Sequence, residues 1–227
     1  MLKPVLNRRY WFMLVVQAFL FFVAPLTREH PSLLLLFILG LFGVFGAVIL
    51  TIWKARLPRL LALGSAIVAL ATGVMAFPSL RFEEPVIIYL MACCLAYAFF
   101  ILIAIVSIGA DVLFRERVTL DCILGSISVY MFLGMFFDFL FGFLAFFLPE
   151  AFDYAPKGGT PGRLRLNDLL YFSYSTLTTT GYGDITPSHP FVRTLATFEG
   201  IVGTICIAVM ISRLVSLHVV EKGNVKP

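Results

Sequence analysis

Residues 175–187 read STLTTTGYGDITP: a run of hydroxyls, two glycines one residue apart and a carboxylate, between two long apolar stretches. Nothing in that segment packs an apolar core, so its chemistry must lie in its backbone. Gly181 and Gly183 permit positive φ, which ordinary L-residues resist. A segment alternating such residues can aim consecutive carbonyls to one side, and Thr179 adds a hydroxyl at one end. Several copies around a common axis would stack oxygen cages able to replace the water shell of a cation.

Irregular backbone of this kind at membrane depth is tolerated only where it is buried in protein or lines a wet cavity, so the flanking elements matter. The 227 residues are 60% hydrophobic with 24 Phe and a mean hydropathy of +0.98. A soluble domain has an apolar share of about 45–50%, so the chain reads as an integral membrane protein. A helix crossing a bilayer needs about 20 apolar residues. Six runs qualify: 10–26, 32–53, 59–78, 85–109, 120–148 and 192–217. The breaks are short and polar (TREHPS, KARLPR, SLRFEEP, DVLFRERV), with Pro31, Pro58 and Pro85 at or near helix starts, where a missing N–H costs little. Lys3, Arg8 and Arg9 precede the first run, but no small-residue cleavage site follows Pro25, so that run is expected to stay as a helix.

The sequence pI of about 9.0 does not point to nucleic acid, because the basic residues lie in short loops rather than a patch. They read as topology signals. With both termini cytoplasmic, eleven of the 17 Lys and Arg fall on the inner side and six on the outer. A multi-pass protein of the cell membrane in contact with lipid is the expectation. Cys93, Cys94, Cys122 and Cys206 lie in or beside apolar runs, and His30, His189 and His218 are scattered. No metal-ligand cluster, disulfide framework, catalytic constellation or organic-cofactor motif emerges, which argues against an enzyme.

Residues 149–167, PEAFDYAPKGGTPGRLRLN, are rich in Gly, Pro and charge and read as an extracellular turret. The stretch after them is too short to cross the membrane and leads directly into the motif. A half-helix over 168–178, dipping in, would aim its negative C-terminal end at a cation. Here the chain resembles the potassium channels: TLTTTGYGDITP is similar to their T-x-G-Y-G-D selectivity filter, with a pore helix before it and outer and inner helices around it. The resemblance covers about residues 120–217. It implies an all-α membrane protein, a re-entrant pore helix between the fifth and sixth spans, and four identical subunits around one pore. The implied division is a four-helix domain (1–111), a cytoplasmic linker (112–119), a pore domain (120–219) and a short tail (220–227). Within the pore domain fall an outer helix (120–148), the turret, the pore helix (168–178), the filter (179–184) and an inner helix (192–217).

Carried over by the resemblance, Thr179, Thr180, Gly181, Tyr182 and Gly183 bind potassium ions, the metal ligands proper being Thr179 to Tyr182, and Asp184 stands at the outer mouth. Thr180 replaces the frequent valine. Tyr182 should join an aromatic cuff with Tyr171 and Phe172. Ser175 stands where some family members place a glutamate behind the filter, so a carboxylate pairing with Asp184 is missing. Gly203 lies twenty residues after Gly183, at the family's hinge position, although close packing equally explains a glycine in a membrane helix. Thr204, Ile207, Ile211 and Val215 share one helical face as pore-lining or gate candidates. Asp138 and Glu199 fall at a similar depth when the two helices run oppositely. Glu199 reads either as support for the pore helix through Ser175 or Thr176, or as a protonated, locally hydrogen-bonded acid without functional weight. Arg213 is expected to snorkel at the inner interface.

Six spans with the filter before the last resemble the voltage-gated plan, yet no Lys or Arg occurs between Pro85 and Arg115. Steep voltage sensing takes about three to four gating charges per subunit, so no conventional sensor is expected. Arg115 and Arg117 read as linker topology signals, and the residues after the sixth run offer no regulatory module. A poorly discriminating cation pore and a non-conducting structural subunit are the rival readings.

Overall fold

The computed structural model describes residues 9–26, 34–52, 56–76, 87–115, 119–148, 150–154 and 166–223. Long helices take up most of them: α1 (Arg9–Leu26), α2 (Leu34–Thr51), α3 (Arg56–Ala76), α4 (Ile87–Leu113) and α5 (Leu120–Phe147). There follow strand β1 (Phe152–Tyr154), the short helix α6 (Leu166–Leu177), strand β2 (Ile185–Pro187) and the long helix α7 (Pro190–Gly223). The 27 residues of α4 and 28 of α5 extend about 40 Å, beyond a hydrocarbon core of about 30 Å. The 12 residues of α6 reach only about 18 Å. Among the described residues four stretches are long and apolar enough to cross a membrane: Arg56–Gly73, Ile87–Leu113, Leu120–Phe147 and Pro190–Arg213. Tyr10–Ala24 and Leu39–Thr51 are apolar but shorter.

The fold is not purely helical. β1 and β2 form a two-stranded antiparallel ribbon with Phe152 opposite Pro187, Asp153 opposite Thr186 and Tyr154 opposite Ile185. Three-residue strands carry too little alternation to register as a period-two signal, and β1 lies in a stretch whose composition reads as loop. Residues 155–165 of that stretch, most of the loop charges used for orientation and residues 224–227 lie outside the described residues.

The chain divides into two compact units, each built from discontinuous segments. The first comprises residues 1–62, 103–132 and 206–227. Tyr10, Met13, Gln17, Leu20 and Ala24 of α1 are buried at alternating spacings of three and four residues, while Trp11 and Phe22 on the other face are exposed. The polar members of that stripe are bonded. Gln17 Nε2 donates to the Ser128 carbonyl at 3.2 Å, the Tyr10 N–H donates to Asp121 at 3.2 Å, and the Tyr10 hydroxyl donates to Asp111.

Arg115 closes this cluster. It pairs with Asp111 at 2.8 Å and Asp121 at 3.5 Å, and its guanidinium lies 5.6 Å from the centre of the Tyr10 ring. Partial burial is the largest single influence and works against its charge, but Asp111, Cys122 and Tyr10 together outweigh it, so its pKa is raised. Arg115, read from the sequence as a linker topology signal, is thus also a partnered residue. Arg213, expected to snorkel, donates Nη2 to the Arg115 carbonyl at 2.6 Å.

The second unit comprises residues 63–102 and 133–205. Its core is aromatic. Phe141 meets Phe172 edge-on at 5.1 Å and Phe152 at 5.8 Å, and Phe152 meets Phe172 at 5.2 Å. Such contacts add about 0.5–1.5 kcal/mol each beyond burial, and here they join α5, β1 and α6.

Candidate functional site

Helix α6 is short but well fixed. Leu169, Phe172, Ser173 and Leu177, spaced three, four and eight residues from the first, are all buried, which sets one face of the helix inward. Asp168 in its first turn complements the positive end of the helix dipole. At the other end the Thr180 N–H donates to the Ser175 carbonyl at 2.8 Å and the Thr179 N–H to the Thr176 carbonyl at 2.9 Å. This is the Schellman pair of bonds, which normally places glycine or asparagine in the left-handed position. Here that position holds Thr179, with φ of 58°. A β-branched residue there costs about 1–2 kcal/mol, a strain that points to a demand on the backbone beyond ending the helix.

The demand continues along the turn. Gly181 has φ of 58° and Gly183 of 78°, while Thr180 and Tyr182 between them stay on the negative side. Left-handed residues at every second position turn successive peptide planes the same way, instead of flipping them as in an ordinary strand. The Gly181 N–H is drawn back to the Ser175 carbonyl at 3.1 Å. With the amides of Thr179, Thr180 and Gly181 committed to α6, the carbonyls of residues 179–183 accept no hydrogen bond among the described residues. Residues 178–184 are all exposed in the single chain. A row of unpaired carbonyls beside the negative end of a helix is a cation site in the making.

The rim is anchored on both sides. Tyr182 stacks on Tyr171 at 5.6 Å and 12° between ring planes, and the Tyr171 hydroxyl meets the Asp184 carboxylate. Beyond Asp184 the chain enters β2, and the Ser188 N–H donates to the Ala151 carbonyl at 3.0 Å. Helix α7 then opens with Pro190 in its first turn, and the Phe191 N–H donates to His189 Nδ1 at 3.2 Å.

Not every candidate residue lies where the sequence suggests. Phe172 packs into the Phe141–Phe152 cluster rather than onto Tyr182, and Ser175 Oγ donates to its own helix, at the Phe172 carbonyl, 2.9 Å away. Glu199 is fully buried and does reach α6, but through Ser173, whose Oγ lies 2.5 Å from Glu199 Oε1. Neither Ser175 nor Thr176 is its partner. Ser173 escapes sequence reading because a serine on a buried face has no signature of its own. Asp138 of α5 is buried with Oδ1 unpaired.

Helix α7 has two faces. Val192, Ala196, Glu199 and Gly203 are buried. Thr204, Ile207, Ile211 and Val215 are exposed in the single chain, leaving an apolar strip that a lone chain does not cover. Gly203 sits where a Cβ would come within 2.5 Å of the Leu177 carbonyl and 2.8 Å of its Cδ1. The helix can approach the end of α6 so closely only without a side chain there.

The match of residues 126–219 to a family described as ion channel covers α5 from its first turns, the ribbon, α6, the turn and most of α7. The chain is also 32% identical over 127 residues to protein LctB of Bacillus caldotenax, which spans 52% of this chain and 94% of that protein. This chain belongs to the ion-channel family. It is a multi-pass membrane protein for ion transport, and the matched region contains the row of free carbonyls. No solved structure matches the channel. Helices α1 to α4 lie outside the matched family region, so what they add to the channel is read from this chain alone.

Proposed function

We propose that the channel is potassium-selective and conducts passively as a homotetramer, with the Thr179–Gly183 carbonyls as its filter and K+ as the permeating ion. One observation carries this reading: left-handed residues at 179, 181 and 183 alternate with Thr180 and Tyr182 in a turn whose carbonyls are left unpaired. Four such turns around an axis would offer stacked oxygen rings that replace a hydration shell. The exposed strip of α7 would line the path inside the filter, with Thr204, Ile207, Ile211 and Val215 nearest the axis. In this reading α1, α2, α3, α4, α5 and α7 are six spans, α6 is a re-entrant pore helix, and both termini are cytoplasmic. Helix α4 carries no Lys or Arg over Ile87–Leu113, so opening does not depend on a conventional voltage sensor.

Purified channel in liposomes, assayed for K+ against Na+ flux with barium as blocker, tests the proposal. Barium-sensitive K+ flux well above Na+ flux is the expected result. Equal fluxes would replace it with an unselective cation pore, and a voltage series with steep charge movement in α4 would overturn the gating statement.

A further inference from the structure

Around Ser173 the count of protons does not match the count of contacts unless one more proton is supplied. Ser173 Oγ lies 2.7 Å from the Gly134 carbonyl of α5 and 2.5 Å from Glu199 Oε1 of α7, and Ser173 and Glu199 are both fully buried. A carbonyl only accepts, and two oxygens that close repel unless a proton lies between them. Ser173 has a single proton. If it goes to Gly134, the contact with Glu199 requires a proton from Glu199.

The surroundings agree with that count. Glu199 Oε2 has no partner, and the groups acting on Glu199 are Ser173 of α6 and Asp138 of α5. Asp138 has the same sign, its own Oδ1 is unpaired, and Cys94 of α4 stands near it. Among the described residues no Lys, Arg or His pairs with either carboxyl, so none of them offsets a negative charge at the buried Glu199.

We propose that Glu199 is a protonated carboxylic acid that acts as a positioning residue for the filter: its proton goes to Ser173, the Ser173 proton goes to Gly134, and the relay clamps α6 between α5 and α7. The clamp holds α6 midway along its buried face, one turn before the Thr176 carbonyl that holds the Thr179 amide and the Leu177 carbonyl that lies against Gly203. Removing the proton leaves Ser173 one hydrogen for two acceptors. The Gly134 link or the Glu199 link must open, and α6 loses its fixed position. Conduction should therefore fall reversibly as pH rises from neutral into the alkaline range.

This inference rests on the reading of residues 179–183 as the filter, and two measurements keep the two claims apart. The first is K+ flux in liposomes against pH for wild type, E199Q and S173A. Gln has an N–H donor in the place of the acid proton, so E199Q should keep near-wild-type flux at neutral pH and lose the alkaline fall. S173A should conduct poorly at every pH. An alkaline fall in E199Q equal to wild type would overturn the clamp.

The second is the infrared difference between wild type and E199Q at neutral pH, with D138N as control. E199Q should lose one protonated-carboxyl band that D138N retains. Flux without that band sinks the protonated acid. The band without flux in wild type leaves the acid standing and sinks the conduction reading along with the role drawn from it.

Discussion

Gly203 to alanine separates two explanations of one residue, a flexible hinge and a point of close approach. An added Cβ would stand 2.5 Å from the Leu177 carbonyl and 2.8 Å from Leu177 Cδ1. The first obstacle is backbone at the end of α6, so no side-chain rotation relieves it. Forcing a methyl into a filled site costs about 1–3 kcal/mol, with a backbone obstacle toward the upper end. The better helix propensity of alanine returns about 1 kcal/mol. The net is a loss of roughly 1–2 kcal/mol. Gly200, one turn earlier on the same helix, is the internal control, because its Cβ would meet only the Thr176 carbonyl at an ordinary 3.7 Å. G200A should be neutral or up to about 1 kcal/mol more stable. Thermal unfolding of the detergent-solubilised protein, followed by tryptophan fluorescence, should rank G200A at or above wild type and G203A below. If G203A melts at or above wild type, close approach fails as the reason for the glycine.

Two further outcomes come from the rim of the turn and from the ion-pair cluster. Y171A removes the ring stacked on Tyr182 at 5.6 Å, worth about 0.5–1.5 kcal/mol. It should reduce K+ over Na+ discrimination in the flux assay, whereas Y171F keeps the stack and should stay near wild type; equal loss in both would shift the weight to the hydroxyl and Asp184. R115A leaves Asp111 and Asp121 without the cation that joins them and should lower unfolding stability by about 1–3 kcal/mol. R115K should recover only part of that, since an ammonium cannot fork between two carboxylates; full recovery would mean that charge alone matters.

Helix positions were legible because the chain advertises them. Apolar runs bounded by short polar breaks matched α1 and α5 to within a residue at each end and α3 closely, α4 and α7 ran four and six residues past their runs, and a stretch too short to cross gave α6. The ribbon was not legible, since three residues of β1 inside a Gly/Pro-rich stretch carry no periodicity and its pairing with β2 spans more than thirty residues. The Arg115 cluster was hidden for a different reason. Lys and Arg between apolar runs report orientation, and that use passes over Asp111, four residues before Arg115, and gives no sign that Asp121 and the Tyr10 of α1 join the same cluster.

Glu199 marks where such reading runs out. A carboxylate two turns into an apolar helix is conspicuous, and its depth follows from counting, so the sequence led to α6. Which hydroxyl it meets depends on the rotation of α6 about its own axis, and that is set by Leu169, Phe172 and Leu177 packing inward. Those three residues place Ser173 on the buried side and leave Ser175 to bond its own helix. The same rotation fixes the heading of the Ser175 and Thr176 carbonyls, which hold the amides of Thr179, Thr180 and Gly181. The hydroxyl that Glu199 finds and the direction in which the carbonyl row faces are therefore one geometric quantity, so a change that turns α6 by a single position must disturb both together.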